Sequence, residues 1–254
     1  MEKIAIIGSG NVAWHLCKGL RAEGIEISGI YSRTYTHAEE FAQSFDIKAY
    51  QDLAALNESN VDLVLVAVND DQTPGVIEKI APHHKVAYTS GSVNLKDINH
   101  PQVGVFYPLQ SFTKGKKVNL FEVPFFIEAK NMDLGEELFD LAWKLSRKVE
   151  YADSNTRSEL HLAAVFANNF TNHMYSLAKE LLEDSKGNFE HLLPLIFNAV
   201  DKLKKNTPEE IQTGPARRND QNIIDQHLSK LSGDKKDIYQ IISSSIQKKY
   251  HEKL

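Results

Sequence analysis

The chain has 254 residues, 42% of them hydrophobic and 25% charged, with a formal net charge of −5. That size and balance fit one large or two modest globular domains and exclude a disordered tail, a collagen-like fibre and a disulfide scaffold. An acidic chain is not a dedicated nucleic-acid binder, which would carry a basic face, so the clusters Lys114–Lys117 and Lys202–Lys205 are expected to be solvated surface. The single cysteine, Cys17, rules out an intramolecular disulfide and a cysteine-based zinc site, and is expected as a small buried residue of the first helix. The apolar part of Met1–Gly8 is too short for a signal peptide, and no run of about 18 apolar residues predicts a membrane span, so a cytoplasmic protein is expected.

Strands and helices alternate through the first half. Lys3–Gly8 reads as a strand, Val12–Glu23 as a helix stopped by Gly24, and Glu26–Tyr31 as a second strand. Ala38–Ser44 is helical in pattern, with Asp46–Ala49 a short strand. Asp62–Val68 is almost all Val and Leu without polar alternation, the mark of a parallel strand covered on both faces. Gln72–Ile80 is expected to be helical despite Pro74, which a first turn tolerates. Strands at Lys85–Thr89, Val103–Tyr107 and Pro124–Ala129 follow, then a helix at Asp133–Ser146. This order predicts a doubly wound, mostly parallel α/β sheet of the Rossmann type.

No strand is expected after Asp153. Ser154–Asp184 reads as one long helix capped by Asp153 or Ser154. Further helices are expected at His191–Lys205, Asn219–Leu231 and Lys235–Tyr250, with breaks at Gly187, Pro208, Gly214-Pro215 and Gly233. The division is therefore a dinucleotide-binding domain over 1–152 and an all-helical substrate or dimerisation domain over 153–254. The helical stripes Leu192, Leu195, Ile196 and Ile238, Ile241, Ile242 suit either an intrachain core or a dimer interface.

Gly8-Ser9-Gly10-Asn11-Val12-Ala13 fits G-x-G-x-x-A between the first strand and first helix. Gly8 would permit the tight turn, Gly10 the approach of a pyrophosphate and Ala13 close helix packing, while the helix N-terminus offers N–H groups to phosphate. An NAD site would place an acid at the end of the second strand to hold the ribose. Ser32-Arg33-Thr34 stands there instead, chemistry suited to a 2′-phosphate, so the expected cofactor is NADP. Val68, Asn69 and Ser90 follow strand ends and are expected to line the nicotinamide half of the pocket. Ser90-Gly91-Ser92 is not a G-x-S-x-G elbow, and a positioning loop is its expected role.

With Tyr107-Pro108-Leu109-Gln110-Ser111-Phe112, His161–Phe170 and Thr213–Asp220, the glycine loop carries a resemblance covering most of the chain. The chain resembles the NADP oxidoreductases that join a Rossmann-like domain to an uncharacterised helical domain. Its N-terminal half is also similar to pyrroline-5-carboxylate reductase and the β-hydroxyacid dehydrogenases. The resemblance implies a reductase or dehydrogenase, dimeric through the helical domain, and supplies no substrate.

On an unbroken helix His161, Asn168 and Asn172 share one face, since seven and eleven residues each return within about 20° of whole turns. Histidine, with an ordinary pKa of about 6.5, suits the proton that accompanies hydride transfer. The asparagines would orient a carbonyl, imine or carboxylate; a solvent-facing or interface stripe is the alternative. Thr213 and Arg217 would hold an anion or form a purely structural turn, and Tyr107 and Gln110 would edge the cleft or stiffen it. No metal-binding spacing is present, His83-His84 being adjacent. The leading expectation is an NADP(H)-dependent oxidoreductase acting on a small carbonyl, imine or hydroxy acid; a non-catalytic NADP sensor and a deazaflavin-dependent NADP reductase are its rivals.

Overall fold

The structure is a computed structural model and describes residues 1–183 and 187–251. Eight strands form one sheet: β1 Lys3–Ile7, β2 Glu26–Tyr31, β3 Lys48–Ala49, β4 Leu63–Val66, β5 Val86–Tyr88, β6 Val103–Pro108, β7 Phe125–Ala129 and β8 Val149–Tyr151. Their order is β3-β2-β1-β4-β5-β6-β7-β8, and every pair is parallel except β6–β7. Strand order reverses between β1 and β4, the switch point where doubly wound sheets bind ligands.

Alternate side chains of each strand enter opposite layers, because strand periodicity is two. Ile4 and Ile6 meet α1 (Asn11–Ala22), α2 (Tyr35–Phe45) and α5 (Met132–Leu145) through Leu16, Cys17, Phe41 and Leu138. Ala5 and Ile7 meet the opposite layer with Leu56 of α3 (Leu53–Asn57) and Ile77 of α4 (Thr73–Ile77). Cys17 is buried, and burial pushes its thiol up to about 12. The helix expected at Gln72–Ile80 is shorter: a 3₁₀ turn at Asp70–Gln72 precedes α4, with Pro74 in its first turn. Between β3 and β4 the short helix α3 is capped by the Asp52 side chain, which accepts from Ala55 N–H at 2.8 Å.

After β8 the described residues hold helices only. α6 (Ser154–Ala164) is capped by Asp153, whose carboxylate accepts from Thr156 N–H at 2.8 Å. The single long helix expected over Ser154–Asp184 is interrupted by a π turn at Val165–Phe170 before α7 (Thr171–Glu180); Asp184 lies outside the described residues. A π turn bonds i to i+5 and takes up an extra residue. That breaks the α-helical repeat on which a shared face for His161, Asn168 and Asn172 depended. Helices α8 (Leu193–Lys202), α9 (Pro208–Ile211), α10 (Pro215–Arg218), α11 (Gln221–Ser229) and α12 (Gly233–His251) complete the chain. Packing divides it into two compact units, Met1–Asn169 and Phe170–Leu254.

Candidate active site

The turn from β1 to α1 shows two glycines kept for different reasons. Gly8 has φ +105°, and a Cβ there would lie 2.1 Å from the Ala67 carbonyl oxygen, so the backbone itself demands glycine. Gly10 has φ −78°, open to any residue, and a Cβ there would meet nothing within 4 Å. The fold gives no reason for glycine at 10; a ligand approaching the helix does. Gly10 is the N-cap of α1 and offers no side-chain cap, leaving the first-turn N–H groups for an anion.

These residues line a cleft of about 520 Å³ together with Ser9, Ser32, Arg33, Thr34, Val68 and Asn69. Ser9 and Ser32 hydroxyls lie 3.2 Å apart and join the β1 and β2 loops. Arg33 is exposed and forms no ion pair among the described residues, so its guanidinium is available to a phosphate. His37 and Lys79 add basic groups at the cleft wall, which sequence patterning missed because both come from helices or turns remote from the glycine motif. Asp71 is the acid on this wall, beside Gln72.

Three expected cofactor residues are engaged within the fold. Asn11 Oδ1 accepts from Lys114 N–H at 2.9 Å, and His15 Nε2 lies 2.9 Å from the Thr113 oxygen, strapping the loop after β6 onto α1. Val12 packs against the core beneath α1. Ser90 is buried, and its hydroxyl accepts from Ser92 and Val93 N–H at 3.1 and 3.0 Å, shaping the β5 loop.

That loop leads to the second cluster. Ser92 donates to the Asp70 carboxylate, which ties the loop to the segment following Asn69 in the cleft. Gly91 lies under Tyr107 and His161: a Cβ there would sit 2.6 Å from Tyr107 Cζ and 2.9 Å from His161 Nδ1. Tyr107 OH and His161 Nδ1 are 3.1 Å apart. Burial, with the Asp70 carboxylate adding to it, pushes the Tyr107 phenol up to about 12, so it keeps its proton. The partners come from β6 and α6, separated by 54 residues, and no sequence spacing announces them.

One turn before His161, Arg157 is fully buried and paired with Glu128 of β7. Its Nη2 also donates to Val93 O at 2.5 Å, while Ser154 Oγ donates to Glu128 Oε2 at 2.8 Å. Buried charge needs such pairing. This network fixes the start of α6 against both the sheet and the Gly91 loop, and so sets where His161 stands.

The other expected substrate residues are not gathered here. Gln110 is exposed, and its Oε1 accepts from Ser111 N–H at 2.8 Å. Asn168 and Asn172 are exposed on the π turn and α7. Within the helical unit Thr213 edges an apolar cavity of about 370 Å³ that includes Leu177, Ile238 and Tyr239. The Arg217 guanidinium stacks 4.1 Å from the centre of the Tyr250 ring and makes no ion pair with Asp220, which caps α11. Among the described residues no group of three or more His, Cys, Asp or Glu side chains gathers as metal ligands, and no helix is long and apolar enough to cross a membrane.

Residues 3–88 match the family described as NADP oxidoreductase, coenzyme F420-dependent, and residues 123–246 match a domain of unknown function, DUF2520. No curated protein matches the chain. Among solved structures, the "putative NADP oxidoreductase" BF3122 from Bacteroides fragilis is 39% identical, with 97% of this chain and 98% of that one aligned at a TM-score of 0.88. Protein TM1727 from Thermotoga maritima is 21% identical, aligned over 98% of both chains at 0.71. The 1-pyrroline-5-carboxylate reductase of Streptococcus pyogenes is 14% identical over 98% of both chains at 0.67; these last two share the fold. The open Gly10 cradle and the free Arg33 fit the dinucleotide that these matches imply. The chain belongs to the NADP oxidoreductase family that joins a Rossmann domain to the DUF2520 helical domain, and its cofactor is NADP.

Proposed function

We propose that the enzyme moves a hydride between NADP(H) and a small carbonyl, imine or hydroxy-acid substrate, with His161 handling the accompanying proton. One observation carries this: the same compact unit holds both the Gly8–Arg33 cleft and a histidine–tyrosine pair, linked through Asp70 and Ser92. When bound, the nicotinamide supplies or takes the hydride. First-turn N–H groups of α1 would hold the pyrophosphate, and Arg33, Ser32 and Thr34 the 2′-phosphate. Asn168 and Asn172 are the proposed polar contacts for the reacting group; Gln110 is the proposed substrate contact at the cleft edge, Thr213 the proposed holder of an anion and Arg217 of a carboxylate. The proposed division of labour is a cofactor domain over 1–152 and a substrate and homodimerisation domain over 153–254, in a cytoplasmic enzyme whose only cysteine is a buried thiol.

The deazaflavin alternative draws on the description of the family matching residues 3–88. That match ends before Tyr107 and His161 and spans dinucleotide features only, so hydride exchange with a small substrate is the better supported reading.

Calorimetric titration with NADPH and NADH tests the cofactor site. Arg33→Ala is expected to weaken NADPH about 10- to 100-fold, roughly 1.4–2.7 kcal/mol, and to leave NADH unchanged. Equal loss for both cofactors would remove Arg33 from the 2′-phosphate. NADPH oxidation against a panel of carbonyls, imines and keto acids, with a deazaflavin in a parallel arm, then separates the substrate classes.

A further inference from the structure

We propose that Tyr107 and His161 form a two-step proton relay, in which His161 presents an Nε2–H to the substrate and Tyr107 stands behind it as positioning residue and second proton source. The functional consequence rests on the oxidoreductase reading above; the arrangement of protons does not.

Tyr107 is buried, and its hydroxyl has one hydrogen-bond partner among the described residues, His161 Nδ1 at 3.1 Å. A buried hydroxyl that only accepted from Nδ1–H would leave its own proton unsatisfied. Donation from Tyr107 to Nδ1 satisfies both atoms. A phenol that stays protonated throughout the ordinary pH range is always able to make that donation. Neutral His161 is then fixed with its proton on Nε2, since the bond made by one ring nitrogen sets the state of the other. Nε2 has no protein partner among the described residues and is left for a ligand. Gly91 holds the arrangement closed, because any side chain there would occupy the space of both rings.

For a carbonyl substrate the step balances. Hydride addition leaves an oxyanion. The Nε2–H bond breaks and its proton forms a bond to that oxygen. Nδ1 takes the Tyr107 proton, leaving a phenolate, a much weaker base than the alkoxide it has neutralised. Solvent returns one proton to Nε2, the Nδ1 proton goes back to the phenolate, and the pair is reset. A neutral imidazole acting as hydrogen-bond donor to a carbonyl needs no excursion to imidazolium.

The test is nitrogen NMR of full-length protein labelled in histidine, with the His161 signals identified by their loss in His161→Gln. Above neutral pH the wild type is expected to show His161 protonated on Nε2 and bare on Nδ1. Tyr107→Phe, which keeps the ring near Phe126, is expected to move those signals toward a mixture of tautomers. A wild-type Nδ1–H, or signals unmoved by Tyr107→Phe, would overturn the relay. NADPH titration of the same samples separates the two levels. Binding with the wrong tautomer removes the relay and leaves the oxidoreductase reading; no binding removes that reading and the relay with it.

Discussion

The sheet unit and the helical unit treat apolar surface in opposite ways. Met1–Asn169 buries whole layers of Ile, Leu, Val and Phe on both faces of its sheet. In Phe170–Leu254 the buried described residues are Ala216, Ile224 and Ser243. On α8 Leu195 and Phe197 are each 66% exposed, with Val200 and, just past the helix, Leu203 also exposed, and Ile241 of α12 is 68% exposed. Several large apolar side chains left bare along one helix mark a surface that other apolar groups cover. The sheet unit completes its own core, whereas the helical unit wants apolar surface from elsewhere, which suits the proposed second copy.

The sharpest way to break the contrast is to damage what makes the sheet unit self-sufficient. Glu128→Leu strands the buried Arg157 without its partner, and breaking a buried pair this way costs about 3–5 kcal/mol. The loss, read by denaturant melting, is expected to be independent of protein concentration. Phe197→Glu asks the complementary question of the helical unit. A charge placed in a dimer core is expected to weaken self-association by about 2 kcal/mol or more, roughly 30-fold, as measured by light scattering over a dilution series. An unchanged oligomeric state would make Phe197 ordinary surface and the proposed interface wrong.

The same contrast sets what was legible beforehand. The glycine loop, the β-branched strands and Arg33 are local signals: the strands form the parallel sheet, and the glycine loop and Arg33 line one cleft at its edge. The Tyr107–His161 pair and the Arg157–Glu128 pair are made by residues 54 and 29 apart, and no local rule encodes them. The polar face drawn through His161, Asn168 and Asn172 assumed an unbroken 3.6-residue repeat, and the π turn at Val165–Phe170 removed that assumption. The apolar stripes of α8 and α12 were legible as stripes, but their exposure was not, because a sequence does not say whether its partner lies in the same chain.

A smaller effect separates folding from binding inside the sheet unit. Gly8→Ala combines a positive φ with a clash against Ala67 and is expected to cost about 1–3 kcal/mol of stability. Gly10→Ala meets neither difficulty and should melt within about 0.5 kcal/mol of wild type. Yet its methyl group projects toward the space in which a pyrophosphate would sit, so NADPH affinity is expected to fall about tenfold or more. Unaltered NADPH binding in Gly10→Ala would move the pyrophosphate elsewhere.

The smallest effect concerns acid, and the pH at which it sets in distinguishes the two units. His84 and His100 are buried in the sheet unit, facing the Asn57 and Ala81 carbonyl oxygens through Nε2 at 3.0 and 3.4 Å. Burial holds both below the ordinary histidine value. The unfolded chain therefore takes up protons first as pH falls below about 6.5, and the stability these neutral rings contribute above that pH is lost as pH drops through their folded values. In the helical unit the carboxylates of Glu180 and Glu209, paired with Lys235 and Lys249, are held below their ordinary 4.5, so their contribution persists until more acid conditions. Melting followed from pH 7.5 to 5 should thus show the sheet unit weakening first, by no more than about 1.4 kcal/mol per pH unit for each histidine. The double variant His84→Gln, His100→Gln keeps an amide donor for each carbonyl without a titrating ring. It is expected to flatten the sheet unit's decline over that window and leave the helical unit's later one in place, because the two losses arise from different groups in different units.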